Sequence, residues 1–200
     1  ATDSIFCLNC HKRLKYKGIY YSHIGIWYCS YCRFKRPNPH YFRFKKIMSG
    51  FYNRYNTQAA VAASKELKIK DNIINKTLRR FSPAFGRQEE FEINSQKIKI
   101  LLSKNPAGFN ETLKTVKALS ADNLLLVLND RIPDGRDISW IWDVDFEKIK
   151  GIKNISVSGG RMPDLALRLK YAGINSFLYE NSLKKAMNRS LKLLKKNETL

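Results

Sequence analysis

Four cysteines near the start of the chain, and none after them, constrain the fold more than any other feature. They fall as Cys7-x-x-Cys10 and Cys29-x-x-Cys32, with eighteen residues between the pairs. One Cys-x-x-Cys loop can present two thiolates to a single ion, and two such loops complete a tetrahedral four-sulfur site, so the spacing predicts a zinc ribbon. The intervening Gly18-Ile19-Tyr20-Tyr21-Ser22 and Ile26-Trp27-Tyr28 predict a β-hairpin that joins the loops. Cys7, Cys10, Cys29 and Cys32 fill the coordination shell, which leaves His11 and His23 as exposed polar residues and no open position for substrate. The expected Zn2+ is therefore structural and stabilises a module too small for a core of its own. Disulfides are the alternative, against which stands the redox setting of a lysine-rich chain without a secretion signal.

The 200 residues suit one large domain or two small ones, and 44% hydrophobic residues suffice to bury a core. Apolar runs such as residues 124–128 are far too short to cross a bilayer, and the N-terminus lacks the layout of a signal peptide. A cytoplasmic chain without a transmembrane segment is expected. Ala1 in place of a methionine, with a cysteine already at residue 7, suggests a piece of a longer protein. A net charge of +20 favours anionic partners, whether nucleic acid, phosphorylated ligand or membrane surface. The lysines are nevertheless spread over many segments without one dense tract, which argues against specific nucleic-acid binding.

Pro37-Asn38-Pro39 ends the ribbon, so the first unit is expected over residues 1–39. Alternation over residues 41–47 predicts a strand, the alanines of residues 58–63 a closely packed helix, and a second helix should cover residues 69–81. Ser82-Pro83-Ala84-Phe85-Gly86-Arg87 breaks the helical pattern and separates a unit at residues 40–86 from one at 87–200. Beyond it, strands are expected at residues 97–102, 123–128, 152–158 and 176–179, and helices at 108–119, 161–172 and 182–195. This alternation predicts an α/β fold with a parallel sheet and helices on both faces.

Just past the strand at residues 123–128 stands Asp134-Gly135-Arg136-Asp137, followed by Trp140, Trp142 and Asp143. In an open α/β sheet, ligands gather at the carboxyl ends of strands, so acids placed there have somewhere to act. The alternative is a tight turn in which Arg136 pairs with a neighbouring carboxylate. Asp134 and Asp143 read as holding the loop, and the tryptophans as core or interface packing.

Gly50-Phe51-Tyr52-Asn53-Arg54-Tyr55-Asn56 followed by Ala59-Ala60 resembles the G-x-x-N-x-x-N-x-x-A-A element of the Mur ligases, ATP-dependent enzymes of peptidoglycan synthesis. Gly86-Arg87 and Lys104-Asn105-Pro106-Ala107-Gly108 resemble two further elements of that family, in the same order. With the Asp134 to Glu147 stretch and a four-cysteine ribbon, the chain is similar over nearly its whole length to the MurT branch, the ligase subunits of lipid II isoglutaminyl synthase. The resemblance implies a Rossmann-like C-terminal domain at residues 87–200, preceded by the end of a Mur ligase central domain that carries the ribbon. It also implies a reaction. ATP activates the α-carboxylate of D-glutamate in the lipid II stem peptide as an acyl phosphate, and ammonia from a separate GatD-type glutaminase converts it to D-isoglutamine.

Residue roles follow from the same resemblance. Asn56 matches the position that hydrogen-bonds the adenine of ATP, with helix N-capping as the alternative. Arg87 matches an arginine that approaches nucleotide phosphate, with a surface salt bridge as the alternative. Lys104 and Asn105 fall at a strand end near the expected cleft. Asp137 matches the acid that completes the glutaminase's Cys-His dyad, where a carboxylate orients the imidazole and stabilises its cation. The face around it is the expected partner surface, and the positive charge favours approach to lipid II at the inner face of the membrane.

The G-T-N-G-K-T-T phosphate loop and the acids that hold Mg2+ in this family are not found here; Ser158-Gly159-Gly160-Arg161 follows a strand but lacks the lysine and Ser/Thr. ATP hydrolysis by this chain alone is therefore not expected. A ribbon-type nucleic-acid module fused to an α/β domain is the competing reading, with Tyr16, Tyr20, Tyr21, Trp27 and Tyr28 as stacking residues. It leaves the three ligase-like elements and their order unexplained.

Overall fold

The hairpin expected between the cysteine pairs forms, with Lys15–Tyr21 (β1) antiparallel to Ile24–Tyr28 (β2). A computed structural model of the chain describes residues 5–21, 24–38, 40–44, 48–83, 87–132, 135–195 and 198–200. It divides into two units, Ala1–Phe42 and Arg43–Leu200. Residues 41–44 join no strand among the described residues, in contrast to the strand expected over 41–47; residues 45–47 lie outside the described ones.

In the second unit, the Gly50 to Asn56 element is itself helix. Phe51–Glu66 (α1) begins one residue after Gly50, whose φ of 90° suits only glycine, and Asp71–Arg80 (α2) follows. A Cβ on Gly50 would meet Thr115 Oγ1 at 2.8 Å, so this glycine also permits close packing. Aromatic, Asn and Arg residues are indifferent helix formers. The early start is fixed by tertiary contacts: Asn53 Nδ2 donates to the Ser49 carbonyl at 2.6 Å, and Gln88 brackets the same residue.

Arg87–Ile93 (β3) and Gln96–Leu101 (β4) form a separate antiparallel hairpin. Residues 97–102 were expected in the parallel sheet, and this is a correction. Asn94 and Ser95, at φ 50° and 62°, make the two-residue turn whose twist matches paired strands, which commits β4 to β3. The polar run Arg87-Gln88-Glu89-Glu90 hides β3 from pattern reading, since its support is cross-strand, as in Lys99 to Glu90 at 2.7 Å. The other edge of β4 is taken by the C-terminus, where Leu200 N–H donates to the Lys97 carbonyl and Lys99 N–H to that of Leu200.

The remaining elements form the predicted parallel α/β layer. Pro106–Ala118 (α3) leads to Asn123–Val127 (β5), two 3-10 turns at Ser139–Asp143 and Phe146–Ile149, and Asn154–Ser158 (β6). Met162–Tyr171 (α4), Leu178–Tyr179 (β7) and Leu183–Leu193 (α5) complete it. The sheet order is β5-β6-β7, all parallel. β6 alternates with both faces covered: Ile155 and Val157 enter the core with Leu165, Leu169, Phe146 and Leu113, while the small Ser156 meets Ser190 of α5 by a 2.9 Å hydroxyl contact. No helix among the described residues is long and apolar enough to cross a membrane.

Candidate functional sites

The two cysteine loops fold as near copies of each other. His11 N–H donates to the Cys7 carbonyl and Arg33 N–H to that of Cys29, at 2.9 and 3.1 Å, and both donors sit at positive φ. Cys7 N–H closes onto the Lys12 carbonyl and Cys29 N–H onto that of Phe34. The four sulfurs lie within 4.8 Å of one another, with Cys7 to Cys32 and Cys10 to Cys29 at 3.5 Å. Sulfurs at about 2.3 Å from a tetrahedral zinc would be about 3.8 Å apart, so the quartet has the dimensions of a metal site and is too open for a disulfide of about 2.05 Å. The Phe34 N–H draws the Cys32 thiol down to about 6. The Lys12 N–H works in the same direction on Cys10, but burial and its three sulfur neighbours outweigh it and push that thiol up to about 12. Crowded thiols that resist joint ionisation are what a cation would relieve. His11 is exposed and outside the quartet; His23 lies outside the described residues.

In the second unit, Asn56 and Arg87 line one cleft of about 790 Å³, together with Tyr52, Asn53, Gln88 and Lys104. Asn56 lies inside α1, exposed, and so does not cap the helix; Gly50 holds that position. Asn53 and Asn56 share a helix face at a spacing of three. Arg87 is exposed at the first residue of β3 and has no ion pair among the described residues, so the salt-bridge alternative is not realised. Asn105 takes a different role, since its Oδ1 accepts the Gly108 N–H at 2.8 Å and caps α3, with Pro106 opening the helix. Gly86 lies outside the described residues.

Gln88 had no special standing in the sequence, yet it assembles this cleft. It is 3% exposed at φ 65°, in an irregularity of the β3–β4 ladder that turns its side chain inward. Its Oε1 accepts the Ser49 N–H at 2.8 Å, and its Nε2 donates to the Ser49 carbonyl at 2.6 Å and the Tyr52 hydroxyl at 3.2 Å. The start of α1 is thereby tied to β3, which places Asn56 beside Arg87. The only signal in sequence is a glutamine next to the Gly-Arg pair.

Asp137 belongs to another recess, of about 390 Å³, lined with Arg136, Ser139, Trp142, Arg161 and Asp164; it shares no residue with the cleft. The carboxylate is exposed, and its Oδ1 accepts the Ser139 N–H at 2.8 Å, which holds its pKa below the usual range. Arg136 forms no ion pair among the described residues, and the contact seen in the turn is the Ser139 N–H to Asp137. Asp134 lies outside the described residues, and Asp143 is exposed. Trp140 packs near Phe109, whereas Trp142 is half exposed against Tyr171. Gly159, at φ 105° with the Leu128 carbonyl 2.2 Å from where a Cβ would sit, closes the β5 and β6 ends instead of cradling phosphate.

The family model described as MurT ligase C-terminal matches residues 102–200. Lipid II isoglutaminyl synthase (glutamine-hydrolyzing) subunit MurT of Staphylococcus aureus (strain COL) is 33% identical over 94% of this chain and 48% of its own length. The subunit of the same name from Streptococcus pneumoniae (strain ATCC BAA-255 / R6) is 33% identical over 86% of this chain and 43% of its own. The chain thus spans about half the length of the curated relatives it matches. Among solved structures, Thermotoga maritima UDP-N-acetylmuramate-alanine ligase MurC superposes with a TM-score of 0.58 at 14% identity, covering 88% of this chain and 37% of that one. Pseudomurein peptide ligase type C of Methanothermus fervidus gives 0.55 at 23% identity, over 97% and 45%. These likenesses give the fold alone; the sequence relatives make the chain a member of the MurT family, whose C-terminal domain it carries at residues 102–200.

Proposed function

We propose that this chain is the part of a lipid II isoglutaminyl synthase ligase subunit that completes the nucleotide cleft and docks a glutaminase. The full enzyme would amidate the α-carboxylate of D-glutamate in the lipid II stem peptide, with ATP and Mg2+, in the cytoplasm at the membrane's inner face. What carries the reading is the gathering of Asn56, Arg87 and Lys104 in one cleft of a chain a third identical to MurT subunits. ATP supplies the activation that makes the carboxylate a substrate for ammonia. Asn56, with a donor and an acceptor on one amide, suits an adenine edge, and Arg87 suits an anionic phosphate. The sequence has no phosphate loop of its own, so ATP turnover would need that element from elsewhere in the subunit.

The division of labour would follow the three segments read from the sequence. Residues 1–39 are the ribbon, held by structural Zn2+ on Cys7, Cys10, Cys29 and Cys32; residues 40–86 end the central ligase domain; residues 87–200 form the C-terminal domain. Asp137, exposed and held through Oδ1 by the Ser139 N–H, would accept the N–H of a glutaminase histidine. That carboxylate would hold the imidazole's orientation and stabilise its protonated form while the partner's cysteine attacks glutamine. In the reconstituted complex, Asp137→Asn should lower glutamine turnover by about 10⁴-fold if the loss matches that of a triad acid. Unchanged turnover with the complex intact would remove Asp137 from the reaction. Salt-sensitive RNA or DNA binding without capture of a glutaminase would support the nucleic-acid reading instead.

A further inference from the structure

The segment that carries Asp137 is gripped on consecutive backbone groups by two helices. From α3, Asn110 Nδ2 donates to the Asp143 carbonyl at 3.3 Å, and Asn110 Oδ1 accepts the Asp145 N–H at 2.7 Å. From α4, Arg168 Nη2 donates to the Val144 carbonyl between them at 2.6 Å. Arg168 is only 6% exposed. Both of its Nη atoms reach Glu147 Oε1 at 3.1 Å, and its guanidinium lies 5.9 Å from the Trp142 ring centre and 5.5 Å from that of Phe146.

A buried arginine is a weak choice for stability alone, since an apolar side chain of similar volume often does as well. This one leaves its Nε buried without a hydrogen-bond partner among the described residues, which adds to the cost. What it specifies is direction. Ile141, Val144, Phe146 and Ile149 anchor the segment in the core, but apolar contacts are non-directional and 3-10 hydrogen bonds are poor in geometry. The neighbouring Asp143–Val144 peptide, whose carbonyl Asn110 holds, donates the Val144 N–H to the Ile141 carbonyl; the Ile141 N–H donates to the Ile138 carbonyl, and the Ser139 N–H of the Ile138–Ser139 peptide donates to Asp137 Oδ1. Rotation of the backbone about Val144, which links the peptides that Arg168 and Asn110 hold, would shift these contacts and with them the Asp137 carboxylate.

We infer that Arg168, with Asn110, is a positioning residue that sets the direction in which Asp137 presents its carboxylate to a docked glutaminase. The inference rests on the role proposed above for Asp137. Its test is a cycle of wild type, Asp137→Asn, Arg168→Met and the double variant, assayed for glutamine hydrolysis in the reconstituted complex of full-length subunits. Arg168→Met keeps the volume and should lower kcat about 10- to 100-fold, the loss that a displacement of about 1 Å produces, with KM for glutamine nearly unchanged. In that background Asp137→Asn should cost only about 100- to 1000-fold, so that the double variant is no worse than Asp137→Asn alone, because the carboxylate is already misplaced. Unchanged kcat per assembled complex, with Asp137→Asn at full effect in both backgrounds, would reduce Arg168 to a structural residue and overturn the inference. A silent Asp137→Asn would instead defeat the underlying role, and the inference with it. Should Arg168→Met fail to fold, Asn110→Ala, which frees the same segment from the other side, decides by the same cycle.

Discussion

Replacing Gln88 tests how the cleft is built. Its side chain makes three hydrogen bonds, two to Ser49 and one to Tyr52, from a site 3% exposed. At about 1 kcal/mol each, Gln88→Ala should destabilise the second unit by about 3 kcal/mol. The left-handed backbone at φ 65° costs Gln and Ala alike about 1 kcal/mol, which glycine escapes. Gln88→Gly should therefore be about 1 kcal/mol less damaging than Gln88→Ala, although it removes more of the side chain. Urea unfolding of the two variants gives both differences, and hydrogen exchange localises them. Protection should fall first at the α1 amides near Phe51, and nucleotide affinity should weaken as Asn56 and Arg87 lose their common frame. A loss below about 0.5 kcal/mol for alanine, or a glycine variant worse than alanine, would refute the account of Gln88 as a strained tie between α1 and β3.

Two further outcomes follow. The ribbon should carry about one zinc per chain, and Cys32→Ser or chelation should abolish exchange protection in β1 and β2 while the urea transition of residues 43–200 persists; a metal-free hairpin that keeps its protection would disprove the site. Glu198 is held below 4.5 by the Lys195 N–H and by Asn123 Nδ2, so the stability it contributes is complete above 4.5 and disappears as pH falls through its lower folded value. Glu198→Gln should accordingly flatten the acid side of the stability profile below 4.5, and an unaltered profile would show that the carboxylate's contacts contribute nothing.

Much of the architecture was legible in sequence because its causes are local. The Cys-x-x-Cys pairs form their loops from short-range N–H to carbonyl contacts, and β5, β6, α4 and α5 follow from apolar periodicity. Asp137 stands in a turn that Asp-Gly chemistry announces, and its place beyond the end of β5 follows from chain order. Other features depend on partners far along the chain. β4 pairs with β3 and not with the parallel sheet, because the turn at Asn94 and Ser95 closes before any longer-range strand can compete. Asn105 looked like a cleft residue, but its amide is spent on the Gly108 N–H. The inward turn of Gln88 and the burial of Arg168 under Trp142 have no sequence signal, since each depends on groups 24 to 39 residues away. Composition and periodicity thus determined the cysteine loops and most elements of the parallel layer, but not β3. Only the tertiary structure decided that Asn56 meets Arg87 in one cleft, and that Asp137 faces a second recess, because directional hydrogen bonds between distant side chains orient surfaces that burial alone leaves free to turn.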